Sequence, residues 1–219
     1  MRIYSILLLV IFISCGKKVS HEKNDLFIRE NVNQEKNQHY RGILRPLNNH
    51  LSGFLPSGIS EVIIKNDELI AKTLLDDDAR VTHIQSIHLG DRCPEITDDI
   101  NSDGYIDIEE AIKASGQVYI PLDGDLNSAT LGQEIYPMGG NYTYIERASL
   151  NRISKDLLSR NLSVQFANKV VLIHGTYKKN DLPSTIATNG ILPLEKSLPI
   201  ACGVLRKLEW IRPTRWQER

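Results

Sequence analysis

This chain of 219 residues reads as a mainly β protein, a sandwich or barrel with one or two short helices inserted. Three observations point there. Short β-branched or apolar runs recur along the chain, turn residues separate them, and only residues 148–160 carry clear helical spacing. Hydrophobic residues make up 41% and charged residues 24%, an ordinary globular balance that excludes a wholly disordered chain and a multi-span membrane protein. The formal net charge is -1 and aromatics are 6%, so neither a basic surface nor a stacking platform speaks for nucleic acid as a partner.

Residues 1–14 (MRIYSILLLVIFIS) place Arg2 ahead of an unbroken apolar run at 6–13. The run is shorter than the roughly 20 residues a spanning helix needs and suits the centre of a secretory signal peptide. Residues 16–40 are polar and charged, read as a tether that cannot bury enough surface to fold, with the domain at 41–219. ISEVIIK (59–65) and ELIAKTL (68–74) flank Asn66-Asp67, which is turn chemistry, and predict a hairpin. Residues 79–88 alternate and predict a strand, as do 117–122, 142–147, 169–174 and 199–205. Leu150, Ile153, Leu157 and Leu158 fall on one face of the helical segment, a core-packing pattern. The acidic run 76–78 and Asp123-Gly124-Asp125 read as solvated turns.

Ser14, Cys15 and Gly16 close the apolar run. A small residue before a Cys at that place resembles the lipobox of bacterial lipoproteins. The resemblance implies cleavage before Cys15, acylation of its thiol, and a membrane partner reached through lipid at the bacterial cell envelope. Each buried methylene of an acyl chain contributes about 0.8 kcal/mol to anchoring. Cys93 and Cys202 remain. In an exported chain they suggest one disulfide, two free buried thiols being the alternative.

The sharpest motif is DINSDGYIDIEE at 99–110. It fits the twelve-residue EF-hand calcium loop: Asp99, Asn101 and Asp103 at positions 1, 3 and 5, Gly104 at the sharp turn, the Tyr105 carbonyl at 7, Asp107 at 9 and Glu110 at 12. A hard cation needs such a crowd of oxygens, and the carboxylates would otherwise repel one another. Residues 108–115 suit an exit helix, whereas GDRCPEITD on the entry side is not amphipathic. No second loop is evident. The motif is therefore similar to a lone calcium loop of the dockerin kind, with a structural Ca2+ ordering an insertion rather than a paired sensor.

Of six histidines, His21, His39 and His50 sit in polar stretches, while His83, His88 and His174 lie in predicted strands. Two stretches resemble copper/zinc superoxide dismutase. One is IHLGDRC at 87–93. The other runs from VVLIH at 170–174 through Asp181-Leu182 to ACGV at 201–204. The first stretch is also similar to the chordin-type β-sandwich domain. The dismutase resemblance implies a Greek-key β-barrel, a Cys93–Cys202 bridge, and His88 and His174 at copper-ligand positions. Ser86 stands where that family has another histidine, no His occurs between 88 and 174, and Pro199 replaces its anion-guiding arginine. His88, His174 and, if a bulge re-aims it, His83 are the candidates for a copper or zinc ion. The expected function is a calcium-stabilised structural or binding module without catalysis. The rival is a copper-dependent redox protein of the dismutase kind.

Overall fold

The structure, a computed structural model, describes residues 37–49, 55–77, 80–127, 135–176, 182–188, 190 and 192–209. The leader, Cys15, the tether as far as Lys36, His21, His50, Asp78, Asp181 and the Trp/Arg-containing residues 210–219 lie outside the described residues.

The protein is mainly β. Its strands are β1 (Asn37–Pro46), β2 (Ser57–Lys65), β3 (Glu68–Asp76), β4 (Gln85–His88), β5 (Val118–Pro121), β6 (Asn141–Ser149), β7 (Val170–His174), β8 (Pro199–Val204) and β9 (Arg206–Lys207). All pairings are antiparallel, in the order β5-β4-β7-β8-β1-β2-β3-β6, with β9 beside β1. Among the described residues three short helices interrupt them: α1 (Ile108–Ser115), α2 (Leu150–Ser159) and α3 (Leu194–Ser197).

The hairpin forms where the turn residues predict it. Lys65 pairs with Glu68, and Asn66 takes the left-handed conformation that Asn tolerates. The sheet curls so that its two ends face each other over one core. Tyr142 and Tyr144 of β6 reach across to Gln85 and to the Asp123 carbonyl. Phe166, Tyr119, Leu157, Ile153, Val171 and Ile173 fill the interior. Each such fully buried side chain contributes about 1.5–3 kcal/mol. The apolar stripe of α2 buries Ile153 and Leu157 as its spacing predicts, while Leu158 is 72% exposed.

Two expectations are corrected. The domain does not begin at residue 41: β1 starts at Asn37, inside the stretch read as tether. Asn37, Gln38 and His39 are polar, but they pair edge-on with Lys65, Ile64 and Ile63. Backbone pairing, not side-chain burial, carries them. Nor is 79–88 one strand. Only Gln85–His88 is, preceded by a single bridge between Thr82 and Met138. Upstream, His83 is wholly buried, its ring stacked on Tyr142 and its amide donating to the Pro137 carbonyl outside β4.

Candidate functional site

The connection from β4 to β5 carries the acidic loop. Cys93 is bridged to Cys202 of β8, which ties the start of this connection to the sheet. Arg92 then grips Asp98 with two bonds of 2.7 and 2.8 Å, holding that carboxyl below its usual range. The entry element is thus a single 3-10 turn, Ile96–Asp98, with the non-amphipathic character the sequence suggests. On the exit side Asp107 caps α1 by accepting from the amides of Glu109 and Glu110, and Glu110 Oε2 accepts from the Asp107 amide.

Inside the loop the backbone bends twice through positive φ, at Ser102 and Gly104. The carboxylates turn inward onto amides: Gly104 donates to Asp99 Oδ2, Asp103 to Asn101 Oδ1, Tyr105 to Asp103 Oδ1, and Ile100 to Glu110 Oε1. Asp107 and Glu110 are each only 3% exposed. Asp99 Oδ1 is buried and has no hydrogen-bond partner. A buried carboxylate oxygen without a donor is costly, and an ion is one way to satisfy it. Among the described residues no three His, Cys, Asp or Glu side chains stand close enough to form a closed ligand set. The loop has the bends and inward carboxylates of an ion-binding turn, with amides holding the oxygens an ion would gather.

Elements the sequence does not flag hold this loop in place. Asn48, 4% exposed after β1, donates from Nδ2 to the carbonyls of Ile106 and Pro199 and accepts from the Ile106 amide. Thr185 Oγ1 donates to Asp103 Oδ2 at 2.6 Å, and the Ala187 amide donates to Asp107 Oδ2. The Tyr105 side chain packs with Ile186 and Leu198, and Ile106 packs on Leu172 and Cys202. Nothing in the local spacing of Asn48 or Thr185 announces these roles, because their partners are 58 and 82 positions away.

The predicted histidines divide. By strand alternation Ser86, His88, Leu172 and Cys202 share the outer face of β4, β7 and β8, beneath the loop, while Ile87, Val171 and Ile173 face the core. His88 Nδ1 donates to the carbonyl of Gly116 at 2.7 Å, and Ser86 Oγ donates to His88 Nε2 at 2.9 Å. His174, at a bulge in β7, donates from Nδ1 to the Ser197 carbonyl at 2.7 Å. Burial pushes both imidazoles down to about 4. The carbonyl bonds partly oppose this, and neighbouring His88 lowers His174 further. Both nitrogens of His88 are therefore engaged in its neutral form. His83 lies apart from this arrangement. It donates toward the carbonyl of His174 at 3.2 Å, stacks on Tyr142, and has Nε2 3.7 Å from Asp77 Oδ2.

No protein-family model matches this chain, and no curated protein matches it. Among the described residues no helix is long and apolar enough to cross a membrane.

Proposed function

We propose that this domain is a calcium-binding structural or binding module without catalysis, carried by an exported chain anchored through lipid on Cys15. The loop at 99–110 carries the reading, above all the unpartnered, buried Asp99 Oδ1 at its first position. Asp99, Asn101, Asp103, the Tyr105 carbonyl and Glu110 would hold the ion, with Asp107 acting through water. Its charge would offset four carboxylates and lock the β4–β5 connection against the segment around Thr185.

The curled antiparallel order β5-β4-β7-β8-β1-β2-β3-β6 supports a Greek-key barrel of the dismutase kind, as does the Cys93–Cys202 bridge. The bonding of His88 favours the non-catalytic form of that reading. A copper or zinc ion on His88 and His174 would have to displace Ser86 Oγ from His88 Nε2. The residues around Cys15 are the support for envelope anchoring.

A calcium titration followed by thermal melting tests the reading. Extracellular calcium modules bind at about 10⁻⁴–10⁻³ M. About 10 mM calcium then adds about 1.4–2.7 kcal/mol, a rise in Tm of about 3–10 °C for a domain of this size. Glu110→Gln removes most of that rise. An unchanged Tm in wild type at this concentration overturns the calcium reading.

A further inference from the structure

The outer face of β1 presents Arg41, Ile43 and Arg45, alternating with buried Tyr40 and Leu44. The register sets Arg45 beside Cys202 and Arg41 beside Arg206, so Val204 and Arg206 extend the same face. Together they line a groove of about 640 Å³ that runs over the disulfide. Ile43 is 65% exposed there, a large apolar side chain between two guanidiniums. Arg41 is neutralised by Glu61 at 2.7 Å. Among the described residues Arg206 bonds to the neutral Asn168 amide oxygen and forms no ion pair, and Arg45 forms none either. Lys207 beside them is exposed, and Glu95 is the acidic residue in the groove wall. The face is apolar in its floor and cationic along its rim.

The two ends of the described domain meet at this face. The Leu208 amide donates to the His39 carbonyl at 2.7 Å, and Lys207 pairs with Tyr40. The described segment thus begins on β1 at Asn37 and ends at Glu209, two residues past β9, which lies beside β1. Before Asn37 lies the lipobox-like Cys15. After Glu209 come Trp210, Arg212, Arg215, Trp216 and Arg219, the residue types that settle at the headgroup level of a bilayer.

We infer that the β1/β8/β9 face docks on a bilayer surface bearing anionic phospholipid. Arg45 and Arg206 meet headgroup phosphates, and Ile43 lies against the interface. Guanidinium matches phosphate by paired hydrogen bonds, and each basic residue near an anionic surface strengthens attachment about fivefold. The inference rests on the anchoring reading in one respect. Lipid on Cys15 makes the docking intramolecular, so a weak surface contact suffices.

The full chain carrying Cys15→Ser tests it by co-sedimentation with vesicles of phosphatidylcholine alone, or mixed in equal parts with phosphatidylglycerol. The chain is expected on the mixed vesicles only, and to leave them at high salt. Arg45→Glu with Arg206→Glu, both on the surface, should weaken binding at least tenfold with an unchanged melting curve. No binding to mixed vesicles, or equal binding to both kinds, overturns the inference. Equal binding by the double arginine variant does so too, because the contact then comes from retained residues 1–14. A dimer in sedimentation that Arg45→Glu abolishes would instead put a second copy on this face. Anchoring is read separately, by fractionating cells that express the wild-type chain or Cys15→Ser. If both variants wash off at high salt, anchoring fails while docking stands.

Discussion

Acid should destabilise this domain well before its carboxylates titrate, because His88 and His174 are buried in neutral form. In the folded protein both sit at about 4, against 6.5 in an exposed chain. Between those values the unfolded chain binds protons that the folded one refuses. Stability is therefore full above about pH 6.5 and falls as the pH drops toward 4. A shift of about 2.5 units is worth about 3 kcal/mol per histidine over the whole window. Between pH 7.5 and pH 5 the loss is about 2 kcal/mol each, about 4 for the pair. That is a large part of the 5–15 kcal/mol typical of a folded domain. Urea unfolding followed by circular dichroism, in millimolar calcium at both pH values, measures it. His174→Gln keeps a donor for the Ser197 carbonyl and should remove about half of the pH difference, whatever it does to stability at pH 7.5. Equal unfolding free energies at the two pH values, or an undiminished difference in both His88→Gln and His174→Gln, would refute the reasoning.

Other perturbations follow from the same contacts. Cys93→Ser with Cys202→Ser opens a loop of 109 positions and should cost about 4–5 kcal/mol, read as a lower melting temperature. Gly90→Ala puts a Cβ 2.3 Å from the Ser115 carbonyl oxygen, and should cost about 1–3 kcal/mol in urea unfolding. It also displaces Gly116 from His88, removing the bond that opposes the burial shift, and should increase the acid sensitivity. Thr185→Val removes the bond to Asp103 and should cost about 0.5–1.5 kcal/mol. In a calcium titration it should weaken affinity severalfold, whereas an unchanged midpoint would place Thr185 outside the loop's support.

Periodicity and turn chemistry are local properties, and they were readable from residue order. The hairpin at Asn66-Asp67 follows from a polar dipeptide between two β-branched runs. The helix after Ser149 follows from apolar residues three and four apart, and the exit helix of the acidic loop from Asp107 and Glu110 at capping positions. The loop's inward oxygens follow from side chains spaced two apart around a Gly. Strand β1 did not announce itself at Asn37, because its first residues gain their order from partners remote in sequence: backbone pairing with Lys65, Ile64 and Ile63, and the His39 ring on Glu61. The strand expected at 79–88 stops short where the His83 amide bonds instead to the Pro137 carbonyl, a partner remote in sequence.

Residue types, their spacing and their cap positions are written in the chain, and with them the mainly β character, the paired cysteines as candidates and the acidic twelve-residue turn. Folding alone settled which remote groups close on that turn, which histidine lies under it and which sits apart, and that β1 and β9 lie side by side. The physical reason is range. A turn or cap is stabilised by neighbours a few positions away, whereas the grip of Asn48 on Ile106, of Thr185 on Asp103 and of His88 on Gly116 depends on how the described strands curl around the core.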